Sequence, residues 1–244
     1  MKAVILAAGY GTRLLKDLKN ANEQQLQDLI GTPKPLLPIG GSPLISYWIE
    51  ALQAELDPKD IFIVTNIIYY SKFKEWSKNY PSVTVISDGT STNEERLGAV
   101  SCLQLIIEKF EMNDNIIVIG GDTLFYEDFH LHDVMKKYQV LYKNNNEANL
   151  VLSYICKDEE TTKYGILEAD ENYRITAIKE KPLASDTASR QAPMAMFTQC
   201  REKQKLLTDN DVSSKHDGTM ERGTPPPGTG NLEYKKFRPS SHPQ

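Results

Sequence analysis

The chain has 244 residues, with 28 Lys and Arg against 33 Asp and Glu and a formal net charge of -5. That length holds one large or two small domains, and the mildly acidic balance excludes a general nucleic-acid binder or a membrane-surface protein. Cys102, Cys156 and Cys200 are far apart, with neither metal spacing nor a disulfide framework, so a reducing, cytoplasmic location is expected.

The chain opens with "MKAVILAAGYGTRL", Met1 to Leu14. Lys2 ahead of Ala3–Ala8 looks like the start of a secretory leader. The apolar run is shorter than a leader core of roughly 7–15 residues, however, and Arg13 and Lys16 follow closely. We read it as a buried strand. No other apolar stretch approaches the roughly 18 residues of a membrane helix. Gly9 and Gly11 let the backbone turn with positive φ or approach a ligand closely, as in phosphate cradles that follow a first strand. Arg13 adds a planar fork suited to phosphate oxygens. A dinucleotide fingerprint needs a third glycine where Leu14 stands, which argues against a nicotinamide-dependent oxidoreductase, and the Walker Gly-Lys-Ser/Thr is absent. A tight turn with a solvated Arg13 is the structural alternative.

In "GTPKPLLPIGGSPLI" (Gly31–Ile45) the prolines on either side of Lys34 predict an extended, stiff backbone. Leu44, Trp48, Ala51, Leu52 and Leu56 then fall on one helical stripe. Two apolar strands are expected next, Ile61–Thr65 and Val83–Ser87. The polar loop "DGTSTNEERLGAV" (Asp88–Val100) leads into a second helix, which Asn93 or a neighbour could cap. Leu97, Val100, Leu103, Ile106, Ile107 and Phe110 mark its stripe. Gly98 at the helical start costs about 1 kcal/mol against Ala, which a ligand lying against the backbone would explain.

The apolar run "IIVIG" (Ile116–Gly120) is followed by Gly121 and Asp122. A carboxylate just beyond a strand end of an open α/β sheet is a natural Mg²⁺ ligand, or alternatively the cap of the next turn. His130 and His132 in "FHLHD" have no third ligand at usable spacing and read as solvated residues at a helix start. After about Asn144, three strand-like segments (Ala148–Cys156, Tyr164–Asp170, Tyr173–Pro182) follow one another, with "ADEN" as a turn between the last two. Glu180 and Lys181 close the last of them.

Continuous apolar strands alternating with helices predict an α/β fold with a Rossmann-like, mostly parallel sheet and an antiparallel addition. The expected domain is 1–188. The expected tail, 189–244, holds "TPPPGTG" (Thr224–Gly230), and from Arg201 onward its composition favours disorder.

The order "LAAGYGTRL", "TPKPLLPIGGSPLI", "GGDTLF", "YGI" and "EKP" resembles the sugar-phosphate nucleotidyltransferases, over Met1 to about Pro182. The resemblance implies a glycine loop, Leu6, Ala7, Ala8, Gly9, Gly11 and Thr12, that wraps the nucleotide. It implies Arg13 and Lys34 as the catalytic cations facing the triphosphate. Asn93 and Gly98 would meet the base, Asp122 would hold Mg²⁺, and Gly165, Glu180 and Lys181 would hold the sugar phosphate. The partners implied are an NTP and a sugar 1-phosphate, with no nucleic acid and no membrane, in a homo-oligomer or paired with a related subunit. Two departures stand out. Ala8 occupies a position where many members have Gly. Beyond "EKP", the further strands of the sugar site and a second metal-binding Asp are not recognisable, and Asp217 in "HDGT" has the wrong spacing. The expectation is therefore an interrupted domain, either an active nucleotidyltransferase or a catalytically impaired nucleotide-binding or regulatory form. A relative acting on choline phosphate is a further alternative.

Overall fold

The structure, a computed structural model, describes residues 1–20, 23–124, 129–199 and 232–236. In chain order the elements are β1 (Lys2–Ala7), α1 (Thr12–Lys19), α2 (Gln24–Gln27), β2 (Pro38–Ile39), β3 (Ser42–Pro43), α3 (Leu44–Gln53), β4 (Ile61–Thr65), α4 (Ile67–Trp76), β5 (Thr84–Ser87), α5 (Gly98–Lys109), β6 (Asn115–Gly120), α6 (Leu131–Asn144), β7 (Asn149–Ile155), β8 (Gly165–Ala169), β9 (Ile175–Glu180), β10 (Gln191–Gln199) and β11 (Leu232–Lys236).

The main sheet runs β11-β7-β10-β6-β1-β4-β5, and β2 and β3 form a separate small ribbon. β5, β4, β1 and β6 are mutually parallel. Their apolar runs are continuous because both faces are covered. On one face Ala3, Ile5, Ile61, Ile63, Ile117 and Ile119 pack with Ile45, Trp48 and Ile49 of α3, Phe73 of α4 and Val134 of α6. On the other, Val4, Phe62, Val64 and Ile86 pack with Cys102, Leu103 and Ile106 of α5. Burying one such aliphatic side chain is worth about 1.5–3 kcal/mol. The expected helical stripes hold except at the N-terminal end of α5, where Leu97 and Val100 are exposed.

β10 lies antiparallel between β6 and β7, so the sheet continues past the expected domain boundary at Ala188. Gln191 pairs with Ile155 of β7 and also with Leu167 of β8. With β7 on one side of β10, β8 occupies the other, and so follows on from β6 along the same flank. β9 pairs antiparallel with β8, Gly165 opposite Glu180. The turn joining them is the one expected at "ADEN": the Asp170 carboxylate accepts from the Asn172 and Arg174 amides at 2.9 and 2.8 Å. β11 pairs parallel with β7. The remainder of the expected tail from residue 200, including Cys200 and Asp217, lies outside the described residues. Among the described residues no helix is long and apolar enough to cross a membrane.

Candidate active site

The glycine loop leaves β1 at the carboxyl edge of the parallel strands. Gly11 adopts φ 62° and is the first flanking residue of α1, with no side chain capping the helix. The leading amides of α1, from Thr12 and Arg13 onward, therefore have no intrahelical acceptor, the arrangement that suits an anion. Thr12 and Arg13 are exposed on this first turn. Gly9 is exposed too, with no atom within 4 Å of where a Cβ would stand.

Lys34 is not in fully extended backbone. Pro33 is extended, but Lys34–Leu36 forms one 3-10 turn. Hydrogen bonds from Leu36 N–H to Pro33 O (2.9 Å) and from Leu37 N–H to Lys34 O (3.1 Å) offset the usual aversion of a pre-proline residue to helical backbone. Pro35 is buried beneath this turn.

Asp122 follows β6 by two residues. The turn that carries it is seated closely on β1: Gly121 N–H donates to Leu6 O at 2.9 Å. A Cβ at Gly121 would stand 3.0 Å from Leu6 O and 3.2 Å from both Ala7 Cβ and Pro35 Cγ. Trp48 Nε1 of α3 donates to Thr123 O at 2.6 Å from the other side. Leu6, Ala7, Gly9, Gly11, Lys34, Pro35 and Asp122 line one cleft of about 180 Å³. Within it Lys34 Nζ and Asp122 Oδ2 are 3.5 Å apart, both about half exposed.

The other expected residues sit on neighbouring elements. Gly98 is the first residue of α5, at φ 82°. Asn93 does not cap that helix: its flanking residue is Leu97, and no side chain bonds its N-terminus. The loop folds on itself instead, Glu95 accepting from Ser91 N–H (3.1 Å) and from its hydroxyl (3.0 Å). Those bonds hold the Glu95 carboxyl below its usual pKa, with the Ser91 amide the larger cause. Gly165 and Glu180 face each other across β8 and β9, and a Cβ on Gly165 would stand 3.4 Å from Glu180 Oε2. Lys181 takes φ 46°, donates its N–H to Tyr164 O at 3.1 Å and pairs with Glu180 at 3.0 Å. These three form one group, and none of them lines the cleft. His130 flanks the start of α6, and exposed His132 lies 3.1 Å from Glu55.

Several residues that the sequence reading passed over hold the site together. Asn66 Nδ2 donates to Ala8 O at 3.1 Å, and its Oδ1 caps α4 by accepting from Tyr69 N–H at 3.1 Å. Tyr69 OH donates to Tyr10 O at 3.1 Å. Tyr10 OH donates to Thr90 Oγ1 at 2.7 Å. The signal for Asn66 was available: a capping residue between a strand end and a helix start.

A family model described as nucleotidyl transferase matches residues 2–216. The chain belongs to this nucleotidyl transferase family. A mannose-1-phosphate guanyltransferase of Pichia angusta is 31% identical over 190 residues, 75% of this chain and 45% of that protein. A glucose-1-phosphate thymidylyltransferase of Neisseria meningitidis is 27% identical over 183 residues, 75% of this chain and 56% of that protein. A Bacillus anthracis crystal structure, provisionally described as a glucose-1-phosphate thymidylyltransferase in complex with sucrose, is 27% identical. It superposes with a TM-score of 0.61, covering 82% of this chain and 71% of that one. This nucleotidyl transferase chain spans about half the length of the curated relatives it matches.

Proposed function

We propose that the chain transfers a nucleotidyl group from an NTP to a sugar 1-phosphate. A phosphate oxygen of the acceptor attacks the α-phosphorus, the bond from that phosphorus to the β-phosphate bridging oxygen breaks, and pyrophosphate leaves. The observation that carries this reading is the meeting of Lys34 and Asp122 in one cleft with the glycine loop. The relatives named as sugar 1-phosphate nucleotidyltransferases support it.

No protein nucleophile is required, so catalysis is positioning and neutralisation of growing negative charge. In this reading the amides at the start of α1 and Arg13 take the phosphates of the leaving side. Lys34 takes the α-phosphoryl group and the incoming phosphate. Asn93 and Gly98 flank the base, and Gly165, Glu180 and Lys181 take the sugar phosphate. Among the described residues no group of three acidic, His or Cys side chains could enclose a metal. One carboxylate is nevertheless enough for an Mg²⁺ shared with substrate phosphates and water, so Asp122 fits such an ion as its protein ligand. When bound, the ion would supply charge neutralisation at those phosphates. The cytoplasm suits the free thiols of Cys102 and Cys156.

Asp122 is the only carboxylate lining the cleft among the described residues, which favours a second reading, nucleotide binding with weak turnover. One experiment tests both. A panel of NTPs is combined with sugar 1-phosphates and phosphocholine, and pyrophosphate release and nucleotide binding are measured, with Asp122→Asn as the control. Release with at least one sugar 1-phosphate supports transfer. Binding without release supports the second reading, and a chain that shows neither binding nor release would sink the nucleotide site itself.

A further inference from the structure

The glycine loop is joined to the segment after β5 by a partly buried chain of side-chain hydrogen bonds. Tyr10, between the two glycines, donates its hydroxyl to Thr90 Oγ1 at 2.7 Å. Thr90, only 6% exposed, donates a hydrogen bond from its own hydroxyl to Asp88 Oδ1 at 2.8 Å, and its amide donates to the same oxygen at 2.9 Å. The other Asp88 oxygen lies 3.7 Å from Cys102 Sγ, in the second turn of α5. Asp88 N–H is tied to Thr65 O (2.8 Å) and Thr90 O accepts from Ile67 N–H (3.0 Å), so the segment is fixed to the ends of β4 and α4. The loop between β1 and α1 is also held through its backbone, Asn66 Nδ2 on Ala8 O and Tyr69 OH on Tyr10 O. Its glycines add no packing, since a Cβ at Gly9 or Gly11 would touch nothing, and the Tyr10 side chain is what ties it to the segment after β5.

We propose that Tyr10 and Thr90 are positioning residues that lock the glycine loop to the segment 88–98, so that the phosphate side and the base side of a bound nucleotide are set as one unit. The direction of each bond follows from the chemistry. The Asp88 carboxylate only accepts, so Thr90 must donate to it, and that leaves Thr90 Oγ1 to accept from Tyr10. The relay thus has a single consistent polarity, and a change at Thr90 removes both links while a change at Tyr10 removes one. Neither residue needs to touch the nucleotide. The inference rests on the proposed nucleotide site for its functional consequence, but the mechanical link stands in ligand-free protein.

The test uses the whole chain with Tyr10→Phe, Thr90→Val, the double variant and Thr90→Ser. Hydrogen–deuterium exchange of residues 8–12 is followed without ligand, and the dissociation constant of the best-binding NTP is measured beside it. Breaking the one partly buried hydrogen bond in Tyr10→Phe is expected to weaken binding about five-fold. Thr90→Val, which strands the Tyr10 hydroxyl and leaves Asp88 Oδ1 with only the residue-90 amide, is expected to weaken it about ten-fold or more. The double variant should be no worse than Thr90→Val alone, because both act on one relay. Thr90→Ser should restore wild-type exchange and affinity. Loop exchange that is unchanged in Tyr10→Phe and Thr90→Val overturns the link, as does a double variant whose losses multiply. A wild-type chain that binds no NTP defeats the proposed function, and the exchange measurement still decides the link. Melting curves within a few degrees of wild type separate a loosened loop from a misfolded chain.

Discussion

Lys34 Nζ and Asp122 Oδ2 face each other at 3.5 Å across a cleft to which they come from a Pro-bounded turn and from the loop after β6. Both are about half exposed, so the pair is worth about 0–1 kcal/mol. It is readily opened by a ligand that offers each partner a better one: phosphate oxygens for the lysine and a cation for the carboxylate.

Lys34→Gln and Asp122→Asn are therefore expected to separate stability from activity. Each should lower pyrophosphate release at least about 100-fold, the scale for losing a charge-stabilising group in a transition state. Each should leave the melting temperature almost unchanged. Steady-state release and a thermal melt on the same preparation check this. A large drop in melting temperature with activity intact would assign the pair to the scaffold.

Gly121→Ala is expected to destabilise the chain by about 1–3 kcal/mol, because the new methyl would press on Leu6 O, Ala7 and Pro35. For a domain of this size that is a fall of roughly 2–12 °C in melting temperature. Gly9→Ala, at a site with no neighbour for the added methyl, should leave the melt close to wild type.

Tyr138 is fully buried, and its hydroxyl finds no hydrogen-bond partner. Burial, followed by the nearby Tyr142, pushes its pKa up to about 12. Tyr138→Phe keeps the ring that packs 5.4 Å from Phe197 and removes the stranded hydroxyl. It should raise stability by about 1 kcal/mol, measured as a higher denaturant midpoint with an unchanged slope.

Burial, with the Asp88 carboxylate second, pushes the Cys102 thiol up to about 12 from 9.0. The folded thiol thus stays protonated while an unfolded one ionises, so the unfolded state holds fewer protons. Stability from this group is fully present below pH 9 and is lost as pH rises from there towards 12. Cys102→Ala should flatten that alkaline decline in denaturation curves. At neutral pH the native chain should resist alkylation at Cys102 and at Cys156, both buried, until denaturant is added. Mapping the labelled peptides checks this.

The sequence made the parallel half of the sheet legible because β1, β4 and β6 are continuous apolar runs, and it made Gly9, Gly11, Lys34 and Asp122 candidates because each follows a strand or a stiff turn. β10 was not legible. "QAPMAMFTQ" has no clear alternation and a single β-branched residue, Thr198, and Pro193 argues against a central strand. The structure accommodates the proline at a shift in register between Pro193 and Ala195. The Tyr10–Thr90 bond was hidden for another reason: it joins residues distant in sequence, and no local pattern encodes it. Asn93 was chosen by residue type at a helix start, yet Gly98 opens α5 with no cap at all.

The place of β10 bears on how the molecule assembles. β6 and β7 are next to each other among the main strands in sequence but do not pair. Each waits for a strand made only when the chain reaches residues 191–199. Until then two apolar strand edges are open, and closing them requires an insertion rather than an addition at the rim. Such late, non-local pairing slows folding and prolongs the exposure of edges that invite association with other chains. A nascent chain halted before Gln191 would hold a parallel half without its bridge to β7. The yield of this protein should then depend on temperature and on chaperone supply more steeply than its final stability suggests.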